Sequence, residues 1–109
     1  MTINYKILGQ LNPIANTPST LYTVPADRSA VISTLQICNM SSNASTIRIS
    51  TRIAGATLAN NHYLVYDTAI GGNDSLSLTI GITLANTDIV TVSASTSNVA
   101  FNLFGSEIV

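Results

Sequence analysis

Residues 76–84 read Leu76-Ser77-Leu78-Thr79-Ile80-Gly81-Ile82-Thr83-Leu84, with Leu or Ile at every even position and Ser, Thr or Gly at every odd one. Successive side chains of an extended strand point to opposite faces, so this stretch predicts a strand with one dry face and one wet face. Leu78 and Ile80 stand in the middle of the dry row and are expected in a packed core. A half-dry strand needs a second layer to cover it, which makes the rest of the chain a search for more strands.

Thr46 to Ile53 repeats the pattern, with Ile47, Ile49, Thr51 and Ile53 on one side and Thr46, Arg48, Ser50 and Arg52 on the other. Val99, Phe101 and Leu103 alternate with Ala100, Asn102 and Phe104, and Val90, Val92 and Ala94 alternate with Ile89, Thr91 and Ser93. In these last two segments both faces are partly apolar, which predicts burial on two sides. Once one sandwich core is filled, apolar surface is left over, and Val90, Val92 and Phe104 are expected at a subunit contact.

Ala30 to Asn39 and His62 to Ile70 are rich in β-branched and aromatic residues and read as strands, with Tyr5 to Gly9 and Leu21 to Val24 as shorter ones. Turn clusters separate them: Asn12-Pro13 to Pro18-Ser19, Pro25-Ala26-Asp27, Met40 to Ser45, Asn60-Asn61, Gly71-Gly72-Asn73-Asp74 and Asn86-Thr87-Asp88. No long window keeps the helical period, and Ile53 to Ala59 carries Gly55 and Thr57. The expected fold is all-β, an antiparallel β-sandwich of 7–8 strands with jelly-roll or Greek-key connections. Residues 1–109 form a single domain, since about 110 residues support one core and not two. Residues 1–20 are a candidate N-terminal arm plus linker; the two prolines between Gln10 and Thr20 fit either an arm reaching a neighbouring subunit or, as loop lengths favour, a surface loop.

Hydrophobic residues make up 46% of the chain and charged residues only 8%, with a net charge of −1. The polar surface is therefore built from 13 Ser, 14 Thr and 11 Asn. Few charges mean little self-repulsion, which favours association with like or unlike partners and points to an oligomer, here expected to be a homo-oligomer. Nucleic-acid binding needs several cations on phosphates, and Lys6, Arg28, Arg48 and Arg52 are the whole basic set, so that class is set aside. The start Met1 to Lys6 has no basic and apolar leader pattern and no stretch approaches the about 20 apolar residues of a membrane helix, so the expectation is a protein made in a cytoplasm, without a membrane partner.

Chemistry is sparse. His62 is the sole histidine, Cys38 the sole cysteine, and no nucleophile elbow or phosphate-cradling glycine loop occurs. Cys38 is expected to be a small buried hydrophobe. Asp27, Asp74 and Asp88 fall at turns, where aspartates bond nearby backbone, and Gly71 to Ser75 offers too few oxygen ligands for calcium. The reading is a non-enzyme with no cofactor and no metal. The glycosylation triplets at Asn39, Asn43 and Asn73 read as loops. Tyr22, Tyr63, Tyr66 and His62 are candidates for an exposed platform that stacks a sugar ring, against the plainer reading of tyrosines half-buried at a sheet edge or an interface.

Several phrases resemble small virion proteins of tailed bacteriophages: Tyr5-Lys6-Ile7-Leu8-Gly9-Gln10, Leu21-Tyr22-Thr23-Val24-Pro25-Ala26, Ile37-Cys38-Asn39, Asp67, Gly81-Ile82-Thr83-Leu84, and Phe101 to Ile108. The resemblance spans nearly the whole chain, through strand and turn phrases that carry no chemical function. It implies a structural component of the virion, assembled in the host cytoplasm and present in many copies. That component is either a capsid decoration (cement) protein on the major capsid protein, or a small tail, baseplate or fibre-associated protein with receptor or carbohydrate binding. It further implies a trimer of β-sandwiches or jelly rolls.

Overall fold

A computed structural model describes residues 1–109. Nine strands follow one another: β1 Ile3–Leu11, β2 Ser19–Thr23, β3 Ser29–Asn39, β4 Ser45–Arg52, β5 Tyr63–Ile70, β6 Ser75–Leu78, β7 Ile82–Leu84, β8 Ile89–Ala94 and β9 Val99–Ile108. The remainder is turns, with single 3-10 turns at Ile53–Gly55 and Asn60–His62 and no α-helix. No helix is long and apolar enough to cross a membrane.

The strands form two antiparallel sheets, one in the order β1-β9-β3-β6 with β7 also on β3, the other in the order β2-β8-β4-β5. The pairing is nested: β1 lies on β9, β2 on β8, β3 on β6 and β7, and β4 on β5. Between the sheets lies one core, in which Ile32, Leu35, Ile37, Val99, Phe101 and Leu103 of the first sheet meet Ile47, Ile49, Val90 and Val92 of the second. These are the period-two apolar rows of the sequence, and burying them on facing layers is what makes the sandwich cohere. The antiparallel sandwich expected from the alternation is observed, with nine strands in place of seven or eight.

Residues 76–84 do not form the single strand that their alternation predicts. They contribute to two strands, β6 and β7, with Thr79, Ile80 and Gly81 outside both. The cause lies next door in β3, where the register against β9 steps from Ile32↔Gly105 to Thr34↔Phe104, leaving Ser33 as an extra bulged residue. Leu78 pairs with Leu35 and Ile82 with Ile32, one on each side of the bulge, so the strand opposite loses its ladder there. Leu78 still packs against the core, but Ile80 falls in the gap and is 38% exposed, which corrects its expected place in the core.

Cys38 is also corrected. The inward row of β3 is Leu35, Ile37 and Asn39, so parity turns Cys38 outward, where it is exposed. Asn39 takes the inward position and organises the adjoining loops: its Nδ2 donates to the carbonyls of Asn43, Ile70 and Gly71, and its Oδ1 accepts from the Ser41 N–H. The Asn39 triplet is thus a loop device.

β1 pairs with β9 of its own chain, and the segment between β1 and β2 is a loop fixed by the Asn16 N–H donating to the Ala94 carbonyl at 2.7 Å. Gly9 sits where β1 crosses closest to β2; a Cβ there would lie 2.3 Å from the Leu21 carbonyl oxygen.

Candidate functional site

The outer face of the second sheet carries the polar and aromatic side chains that β4, β5 and β8 turn away from the core. Arg48 sits opposite Ser93 on β8 and Tyr66 on β5. β5 bulges at Asp67, which takes the left-handed backbone conformation at φ 54° and so swings its carboxylate back over β4. There Asp67 accepts two hydrogen bonds from Arg48, Nε to Oδ1 at 2.6 Å and Nη2 to Oδ2 at 3.1 Å. The guanidinium also lies 4.1 Å from the centre of the Tyr66 ring, and Tyr63 meets Tyr66 edge-on with ring centres 4.9 Å apart. Asn60, Tyr63 and Tyr66 line a shallow cleft of about 320 Å³, and Asn16, Thr46, Arg48, Asp67, Ser93 and Ser95 line a polar one of about 230 Å³.

This arrangement offers rings to stack against and a rigid polar fork, but no proton-transfer group. Arg48 holds the Asp67 carboxyl below the usual carboxylate range, first through the hydrogen bond, so Asp67 is an anion at neutral pH and a poor general acid. His62 is half-buried and its Nδ1 accepts from the Ala59 N–H at 2.9 Å, which ties it to its own turn. The structure brings Tyr63 and Tyr66 together, and His62 adjoins Tyr63 in sequence. Tyr22 is not with them: it is buried on β2 and donates its hydroxyl to Glu107.

Tyr22 belongs to a second cluster. Glu107 is 2% exposed and continues the inward row of Val99, Phe101 and Leu103 to the open end of the sandwich. Its carboxylate accepts from Tyr22 Oη at 2.5 Å and Arg28 Nη1 at 3.1 Å, and Lys6 Nζ lies 2.8 Å away. The Lys6 contact, then the Tyr22 hydroxyl, keep the Glu107 carboxyl below its ordinary range, while burial and that same anion push the Tyr22 hydroxyl far above its own. Four side chains from β1, β2, β9 and the turn before β3 thus clamp one end of the sandwich. The sequence signal for it was parity, since Glu107 falls in step with the apolar positions before it.

Val90 and Val92 are each 1% exposed, inside the core of the one chain, so the expectation that they face a neighbouring subunit is corrected: their β8 side chains are covered by the first sheet. Phe104 points the other way. It lies on the outer face of the first sheet beside Ile7 and Thr34, and with Tyr5, Val31, Ser33 and Ser106 lines a groove of about 420 Å³. The same face exposes Ile3 (42%), Tyr5 (83%), Ile7 (52%) and Val31 (39%). Two of the three turn aspartates bond nearby backbone, Asp88 accepting from the Ala54 and Ala85 N–H groups and Asp74 from the Ser75 N–H, whereas Asp27 instead lies 3.4 Å from Arg28 Nε. No group of three or more His, Cys, Asp or Glu side chains converges as a metal site would require.

The fold and these surfaces define an all-β, two-sheet antiparallel sandwich. No protein-family model matches the chain, and no curated protein matches it in sequence. Among solved structures it is similar to a pentameric capsid protein isolated from metagenomic phage sequences, with a TM-score of 0.38 and 14% identity over 95% of this chain. The chain spans 63% of that protein's length.

Proposed function

We propose that this protein is a non-enzymatic structural unit of a tailed-phage virion, a capsid decoration (cement) protein that works as a homo-oligomer on the major capsid protein. The observation that carries this reading is the outer face of the first sheet. A lone sandwich keeps its outer faces polar, whereas this one exposes Ile3, Tyr5, Ile7 and Val31 around the Phe104 groove. A cement protein acts by burying area across seams between capsomers, and such a face supplies the area without any active site. The nested strand order supports the reading, because first-with-last, second-with-next-to-last pairing is the connectivity of a jelly roll, an architecture used by viral capsid proteins. The resemblance of the strand phrases to small virion proteins points the same way.

Nucleic acid is disfavoured as a partner, since each basic side chain is engaged within the chain: Lys6 and Arg28 with Glu107, Arg48 with Asp67, and Arg52 with Thr91 and the Ala56 carbonyl. The test is to mix purified protein with undecorated phage heads and sediment them. Saturable co-sedimentation supports the cement role; its absence at high protein concentration removes it. The second reading is a tail, baseplate or fibre-associated protein that binds receptor carbohydrate, favoured by the Tyr63, Tyr66, Arg48 and Asp67 surface. It requires glycan binding that Tyr66→Ala abolishes, in a protein that leaves heads bare.

A further inference from the structure

Sheet edges left open invite pairing with another chain, and native proteins blunt them with short, interrupted, bulged or charged strands. Three of the four edges here are treated in this way. β2 has five residues between Pro18 and Pro25; β5 is bulged twice and carries Asp67; β6 and β7 are broken at Thr79–Gly81. β1 is not. It has nine residues, contains no proline, and keeps an unshifted register against β9 from Ile3 to Ile7. Its one charge, Lys6, is turned to Glu107.

The direction of the free backbone groups follows from the register. Thr2 and Val109 exchange both backbone hydrogen bonds, and antiparallel ladders alternate, so Asn4 and Lys6 aim their N–H and C=O at β9. Ile3, Tyr5 and Ile7 aim theirs outward, away from the molecule. The same three residues present their side chains on the exposed apolar face.

We propose that β1 pairs antiparallel with β1 of a second copy, across a two-fold axis at Tyr5. This rests on the reading of the chain as a self-associating structural unit. Tyr5 then faces the partner's Tyr5, and Ile3 faces the partner's Ile7. Every outward backbone group between Ile3 and Ile7 is satisfied, because all these residues fall at hydrogen-bonded positions. On the other face Lys6 stands opposite the partner's Asn4, so no like charges meet. An axis at Lys6 instead would set the two lysines against each other. With the axis at Tyr5 the strand is complementary to itself, which is what a two-fold interface demands. It makes the first sheets of two copies continuous and joins their apolar outer faces into one broad surface.

The test uses the full chain and light scattering over a range of concentrations. Wild type is expected at twice the chain mass of 11.4 kDa. Tyr5→Lys and Tyr5→Glu each set like charges across the axis and are expected to leave folded monomers, association falling at least about tenfold. An equimolar mixture of the two is expected to regain the doubled mass. Tyr5→Pro removes only an outward N–H and is expected to weaken pairing while β1 stays on β9. Variants that keep the wild-type mass, or a mixture that stays monomeric, overturn the proposal. So does a wild-type monomer at all concentrations; if that monomer still coats phage heads, the virion reading survives, whereas a dimer that ignores heads removes that reading and keeps the pairing.

Discussion

Glu107 shows how one buried carboxylate sets the behaviour of a whole end of the sandwich. Glu107→Gln keeps the shape and removes the charge that Lys6, Arg28 and Tyr22 share. It is expected to cost about 1.5–3 kcal/mol, the range for a hydrogen bond to a charged group, because Lys6 and Arg28 reach solvent and rehydrate. Chemical denaturation at neutral pH measures it. The pH dependence follows from the same contacts. With its carboxyl below the ordinary range, Glu107 binds fewer protons folded than unfolded, so its stabilisation is present above the unfolded value of about 4.3 and is lost as pH falls through the folded one. Melting temperature should therefore drop between neutral pH and the acid range more steeply in wild type than in Glu107→Gln. Parallel acid limbs would mean that the carboxylate is not paired in solution. Cys38 gives a simpler check: lying on the outer face, it is expected to react with a thiol reagent in the native protein, at a rate close to that in denaturant.

At the scale of the element, the break between β6 and β7 separates two residues that look alike in sequence. Ile37→Ala removes a side chain with no exposure and is expected to cost about 2–5 kcal/mol, whereas Ile80→Ala should cost below about 0.5 kcal/mol and Leu78→Ala an intermediate amount. Unfolding curves of the three variants test the order. The strands were legible in the sequence because alternation is local: Ala30 to Asn39, Thr46 to Ile53, His62 to Ile70 and Val99 to Leu103 all lie within one or a few residues of β3, β4, β5 and the start of β9. Ile80 was not legible, since its fate is decided by a bulge at Ser33, 47 residues earlier, and a bulge leaves no mark in the pattern of the strand it interrupts. Val90 and Val92 failed for a related reason. Two-sided apolar character suggests surplus surface, but β8 is an interior strand between β2 and β4, so both of its flanks and its inner face are covered. The Tyr63 and Tyr66 surface was half legible: the rings are neighbours in sequence, while the Arg48–Asp67 fork depends on a register that only the folded sheet fixes.

For the whole molecule, the scarcity of charge has a measurable side. Association through the face of Tyr5, Ile7 and Phe104 should be nearly insensitive to salt, changing less than about twofold between roughly 0.05 and 0.5 M, because screening weakens only interactions between charges. A steep loss with salt would place the contact on Arg48 and Asp67 instead. The nested pairing carries a consequence of another kind, in time. β9 lies in the middle of its sheet, between β1 and β3, yet it is the last strand of this sequence to leave the ribosome. Ile3 finds Ile108, and until then β1 has no neighbour on either side. Folding must therefore be slow and nearly all-or-none, as for other topologies closed by their most distant segments. The nascent chain spends that interval with its least guarded strand unpaired, when crowding and chaperone supply decide how much of it survives to assemble.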